Sequence, residues 1–152
     1  MIFAAGLGTR LRPLTDNMPK ALVPVAGKTM LERVILKLKD ASFHDITINI
    51  HHFGSQIIDF LRANQNFGVD IHISDERGEL LDTGGGIKKA RPLLESNEPF
   101  LIHNADILTD LDLNAFYHHH LESDADATLL TNHRKTSRYL LMNQDNRLCG
   151  WT

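Results

Sequence analysis

Segments with a two-residue apolar period alternate with segments of helical period along this chain, and that alternation restricts the fold more than any other feature. Ile46, Ile48 and Ile50 alternate with polar residues, and Val69, Ile71 and Ile73 do the same. That is strand spacing, because successive strand side chains point to opposite faces. Met30, Leu31, Val34, Ile35 and Leu38 instead share one helical face. A second helix is expected after Gly54, on Ile57, Ile58 and Leu61. The chain opens on the apolar run Met1 to Ala5, read as a buried strand with no leader before it. Phe100-Leu101-Ile102 reads as another buried strand, ending near Asn104 and Asp106. Strands joined through helices run parallel. The expected fold is therefore a three-layer α/β/α arrangement around an open, mixed but mostly parallel sheet.

The remaining segments fill in that outline. The glycine run Gly84-Gly85-Gly86 leads into a short helix that should weaken near Pro92. Leu113, Phe116, Tyr117 and Leu121 suggest one more helix, with Asp110 or Asp112 as its cap. Ala127 to Thr131 reads as a strand, and Tyr139 to Gly150 as a hairpin turning at Asp145-Asn146. The 152 residues suit one domain, which stops straight after a strand-like segment and so reads as interrupted. A net charge of -3 gives no general attraction to nucleic acid or to a membrane surface. Cys149 is the only cysteine, which excludes an internal disulfide and suits a reducing cytoplasm. No signal peptide is recognised, and no apolar run is long enough to span a bilayer.

Chemistry concentrates first in Ala4-Ala5-Gly6-Leu7-Gly8-Thr9-Arg10-Leu11-Arg12-Pro13-Leu14-Thr15, closed by Pro19-Lys20-Ala21-Leu22-Val23-Pro24-Val25. A strand ending in Gly-x-Gly can turn sharply and bring bare backbone against a ligand. Successive N–H groups in such a turn form an anion-binding nest. Arg10 can fork onto phosphate oxygens, and Lys20 supplies a compact positive charge. Together they describe a triphosphate cradle at a strand end, where open α/β sheets place ligands. Taken singly, each of these residues reads as an ordinary turn or a solvated basic side chain. Two better-known phosphate loops are excluded. A dinucleotide fingerprint needs a third glycine near Leu11, and Gly27-Lys28-Thr29 lacks the Walker A glycine, having Leu22 in its place. Lys28 is accordingly read as a turn residue before the first helix.

Two further pieces fit the same site. Glu79-Leu80-Leu81-Asp82-Thr83-Gly84-Gly85-Gly86-Ile87 puts three glycines at a helix start, which permits close approach of polar groups. In isolation it would be a flexible turn. His103-Asn104-Ala105-Asp106 puts a carboxylate just after a strand, where it can hold magnesium between phosphates, although a lone Asp there is equally a turn residue. The histidines do not form a metal site. His51-His52 and His118-His119-His120 are adjacent in sequence, point apart, and lack partners at zinc spacing, so His118 to His120 read as a solvated helix face.

The complete glycine-loop string resembles the N-terminal motif of the sugar-1-phosphate nucleotidyltransferases, whose loop runs through Thr-Arg and Pro-Leu-Thr to Pro-Lys. The Asp-Thr-Gly-Gly-Gly-Ile version of the second piece resembles the branch with N-acetylmuramate 1-phosphate uridylyltransferase and the related guanylyltransferases for mannose or heptose 1-phosphates. The resemblance implies a Rossmann-like fold of the nucleotide-diphospho-sugar transferase type, here one domain over 1–152 that stops on its sugar-binding side. It implies that Gly6 and Gly8 offer backbone to the nucleotide, with Thr9 beside them, and that Ala5 lies against base or ribose. Arg10 would hold the leaving pyrophosphate and Lys20 would contact phosphate at the reacting centre. Thr83, Gly84 and Gly85 would line the base pocket, with Asn104 also on the nucleotide and Asp106 on magnesium. Ala105 replaces the family's usual glycine at that point. Asn49 and His51 are further candidates for the cleft.

The implied reaction joins UTP or GTP to a sugar 1-phosphate and releases pyrophosphate, with no covalent intermediate. The attacking phosphate oxygen is already anionic at neutral pH, so no general base is needed, and catalysis is positioning and charge neutralisation. A non-catalytic nucleotide-sugar sensor of the same fold, and a choline-phosphate cytidylyltransferase, are the rival readings. A dinucleotide-dependent dehydrogenase fails on the missing glycine.

Overall fold

A computed structural model of the chain describes residues 1–152. From the N-terminus the chain forms β1 (Ile2–Phe3), then a long loop with 3-10 turns at Thr9–Leu11 and Lys20–Leu22. A small ribbon follows, β2 (Pro24–Val25) and β3 (Lys28–Thr29), then α1 (Met30–Asp40), β4 (Asp45–Ile50), α2 (Gly54–Ala63), β5 (Asp70–Asp75) and α3 (Asp82–Leu94). The last elements are β6 (His103–Asn104), α4 (Leu113–Leu121), β7 (Leu140–Met142) and β8 (Leu148–Trp151). The main sheet has the order β5-β4-β1-β6, and all its pairs are parallel. Antiparallel pairing is confined to the ribbons β2-β3 and β7-β8.

Local chemistry explains the helix starts. Thr29 caps α1, its hydroxyl accepting from the Glu32 N–H at 3.1 Å, while Glu32 in the first turn and Lys37 and Lys39 in the last complement the helix dipole. Asp112 caps α4 by accepting from the N–H groups of Asn114 and Ala115 at 2.9 and 3.0 Å. Leu31, Val34, Ile35 and Leu38 of α1 pack with Ile57 and Leu61 of α2 against Ile46, Ile48 and Ile50 in the main core. Each such side chain contributes about 1.5–3 kcal/mol by leaving water.

The opposite face of the sheet is built differently. Thr47 and Asn49, the polar positions of β4, are buried on this face; each is 2% exposed. β4 is an inner strand, and α3 covers its second face. That helix buries only Gly86 and Ala90, so its backbone lies close to the sheet. A Cβ on Gly86 would stand 3.2 Å from the Asn49 amide nitrogen and 3.5 Å from the Phe3 ring.

Several expectations need correction. The strand beside β1 ends at Asn104 as expected but starts later, with only His103 and Asn104 paired, opposite Ile2 and Phe3, while Leu101 accepts from the Met1 ammonium. Phe100 and Ile102 are exposed, because β6 is an edge strand with nothing on its outer side. Ala127 to Thr131 forms no strand and finds no partner edge; Leu129 and Leu130 are exposed. The three glycines lie inside the first turns of α3 rather than before it, and the helix runs two residues past Pro92. Lys28 belongs to β3, the turn being Ala26-Gly27, both at positive φ. No helix is long and apolar enough to cross a membrane.

Candidate active site

The strand order creates the site. The chain steps outward from β1 to β4 and β5, then crosses back to place β6 on the other side of β1. Loops leaving β1 and β6 therefore diverge at their C-terminal ends, which is where open parallel sheets form a ligand crevice. A cleft of about 440 Å³ opens there.

Its first wall is the loop after β1. Gly8 stands at φ 67°, and an added Cβ would lie 3.0 Å from both the Lys20 Cβ and the Thr15 Cγ2. The buried Thr15 hydroxyl donates to the Gly8 carbonyl at 2.8 Å, fixing the turn. Gly6 is different. It is exposed, and a Cβ there would meet nothing within 4 Å. Protein packing does not require glycine at position 6, so its bare backbone is open towards the cleft. Arg10 lines the cleft, exposed and without an ion-pair partner, because the 3-10 turn at Thr9–Leu11 holds it on the rim.

The second wall follows β6. Ala105 is tied to β1 by its N–H, which donates to the Phe3 carbonyl at 3.0 Å. Asp106 is thereby held across from the first loop, and Lys20 donates directly to its Oδ2. The two side chains remain 24% and 37% exposed, so both can be reached from the cleft. The carboxylate thus already accommodates a cation. No cluster of three His, Cys, Asp or Glu side chains could hold a metal by itself. Magnesium takes one or two carboxylates and completes its shell with water and substrate phosphates. Asp106 fits that kind of ion and does not fit a structural metal cage.

The third wall is the start of α3. Leu80, Asp82 and Thr83 line the cleft. Ala5, Gly6, Gly8, Thr9, Arg10, Lys20, Thr83, Asn104 and Asp106 all border this one space, whereas Gly84 and Gly85 do not. A Cβ on Gly85 would press on the Leu81 Cβ at 2.9 Å, so that glycine answers to packing within the helix.

Asn49 lies in the floor of the cleft, but His51 turns away, its Nδ1 donating to the Glu76 carbonyl at 2.6 Å. Glu76, which sequence reasoning passed over, is also in the floor and is 0% exposed. Its position just beyond β5, at the same sheet edge as the glycine loop, was the available signal. His118 and His119 are exposed on α4, and His120 Nδ1 lies 2.8 Å from the Thr128 hydroxyl.

A family model described as nucleotidyl transferase matches residues 1–148. The chain belongs to the nucleotidyl transferase family. Within it, the chain is 47% identical over 117 residues to an N-acetylmuramate alpha-1-phosphate uridylyltransferase from Neisseria meningitidis, covering 77% of this chain and 50% of that protein. It is 38% identical over 125 residues to a mannose-1-phosphate guanyltransferase from Gibberella zeae, covering 79% and 34%. The chain thus spans half the length or less of these relatives. Among solved structures, HddC from Yersinia pseudotuberculosis complexed with GMP-PN superposes with a TM-score of 0.79 at 27% identity, covering 99% of this chain and 66% of that one. The parallel sheet and its flanking helices are thus an architecture that this chain shares with that structure.

Proposed function

We propose that the cleft binds a nucleoside triphosphate and that the protein transfers its nucleotidyl group to a sugar 1-phosphate, releasing pyrophosphate. One observation carries this reading: the glycine loop, the unpaired Arg10 and the Lys20–Asp106 pair converge on one cleft at the sheet's switch point. Phosphate recognition needs bare backbone N–H groups and a forked cation, and acid–base or covalent catalysis would need other side chains.

In the proposed reaction a sugar-phosphate oxygen attacks the α-phosphorus in line with the departing pyrophosphate. Gly6 and Gly8 present backbone to the phosphates, Thr9 and Ala5 border the nucleotide, and Arg10 neutralises the leaving group. Lys20 leaves Asp106 for a phosphate oxygen, and Asn104 and Thr83 close the nucleotide side. Magnesium bound by Asp106 would supply charge neutralisation between phosphate groups. UTP is our first choice of substrate, with N-acetylmuramate 1-phosphate as acceptor, supported by the 47% identity to the Neisseria uridylyltransferase. GTP is the second, supported by the fold match to HddC with GMP-PN.

Arg10 gives the most selective test. If it holds the β- and γ-phosphates, Arg10→Ala weakens UTP binding about tenfold or more, equivalent to about 1.4 kcal/mol, and leaves UMP binding unchanged. Titration calorimetry with magnesium distinguishes the two. Equal loss for UTP and UMP, or loss for neither, would refute the assignment of Arg10.

A further inference from the structure

Beneath the cleft runs a chain of buried hydrogen bonds whose polarity is fixed at both ends. The Ala4 N–H donates to Asn49 Oδ1 at 2.8 Å. Asn49 Nδ2 donates to Glu76 Oε1 at 2.8 Å. The Leu81 N–H, just before α3, donates more weakly to Glu76 Oε2 at 3.4 Å. Asn49 is 2% exposed and Glu76 0%, and Glu76 forms no ion pair. A Cβ on Gly86 would stand 2.9 Å from Glu76 Oε1, so the third glycine of the run leaves room for this link.

From this arrangement we infer that Asn49 and Glu76 are positioning residues that lock the two nucleotide-facing walls of the cleft, the glycine loop after β1 and the start of α3, in one relative geometry. The inference rests on the reading of the cleft as a nucleotide site. Both terminal groups are backbone N–H donors, so the side chains between them must accept at each end. Asn49 meets this by accepting at one end and donating at the other. Glu76 must then accept at both of its terminal atoms, which a carboxylate does and an amide cannot. A buried carboxylate without a cationic partner is costly to retain for packing, and hydrophobic residues of similar size would fill the space more cheaply. Its double-acceptor character is what joining the two walls uses.

Exchanging the polarity of the two side chains tests the link. In Glu76→Gln, one end of the chain must face donor to donor. In Asn49→Asp, two carboxylates face each other across the former hydrogen bond. The double variant Asn49→Asp with Glu76→Gln restores every link: Ala4 N–H to Asp, the Gln amide to Asp, and Leu81 N–H to the Gln carbonyl. It keeps the same charge and nearly the same volume.

All four proteins are made as the complete chain and compared in two ways. Amide hydrogen exchange without nucleotide reads the walls directly. Steady-state kinetics and UTP calorimetry read their effect on the site. Each single variant should lose protection at Ala4 to Thr9 and Leu81 to Gly85 and raise the KM for UTP about tenfold, with a smaller change in kcat. The double variant should recover protection and most of the KM. Single variants with wild-type exchange in both segments, or a double variant worse than either single, would overturn the inference. Loss of thermal stability in the singles with unchanged exchange and KM would also overturn it, showing a packing role only. If the wild type binds no nucleotide while the exchange pattern follows the polarity rule, the nucleotide reading fails and the lock between the walls stands.

Discussion

Gly6 and Gly8 sit two residues apart and are glycine for different reasons. Gly8 needs a left-handed backbone and has Lys20 and Thr15 at 3.0 Å from any Cβ. Gly6 has open space around it. Gly8→Ala should therefore destabilise the protein by about 1–2 kcal/mol, and would push Lys20 away from Asp106. Gly6→Ala should change stability by less than about 0.5 kcal/mol yet weaken UTP binding, because its Cβ enters space the nucleotide backbone contacts require. Chemical denaturation and calorimetry on the two variants separate these effects; equal stability loss in both would contradict the assignment. Residue types and spacing singled out the loop positions Gly6, Gly8, Arg10 and Lys20, which do border one cleft. They did not show that Lys20 and Asp106, 86 residues apart, touch, because that contact depends on β1 and β6 being neighbours.

Among the elements, β6 links stability to pH. His103 is half-buried, and burial lowers its imidazole pKa below the usual 6.5, with the Asn104 carbonyl opposing that shift. A folded-state pKa below the unfolded one means that the folded protein binds the proton less readily. Stability is then undiminished above the unfolded pKa and falls as pH drops through it. His103→Gln should flatten the decline in melting temperature between about pH 7 and pH 5 relative to wild type; an unchanged slope would show that His103 does not cause it. Elements with internal periodicity were legible: α1, α2, β4 and β5 lie where their apolar spacing put them. Phe100 to Ile102 and Ala127 to Thr131 were not, because a short apolar run becomes a strand only if an edge pairs with it. The hairpin β7-β8 carries its own turn and formed, although it buries almost nothing. Asn49 was legible as a cleft residue, whereas Glu76 was not, because an acidic residue just past a strand is expected in water until α3 is known to cover it.

Across the whole molecule, the cleft follows from strand order. Reversal of direction at β1 gathers loops from distant parts of the sequence into one cleft, and the charge there is local, since the chain as a whole is slightly acidic at -3. On the proposed reading, such a site would attract phosphates by geometry rather than by net field. The central claim is that this cleft supports nucleotidyl transfer to a sugar 1-phosphate. The most direct measurement is pyrophosphate release in magnesium, crossing UTP, GTP, CTP and dTTP with N-acetylmuramate, mannose, heptose and glucosamine 1-phosphates and phosphocholine. Asp106→Ala serves as the control. Release is expected with UTP and N-acetylmuramate 1-phosphate, or with GTP and one of the other sugar phosphates, falling at least about a hundredfold in the control. Release with phosphocholine alone, or tight nucleotide binding with no release from any pair, would contradict the claim.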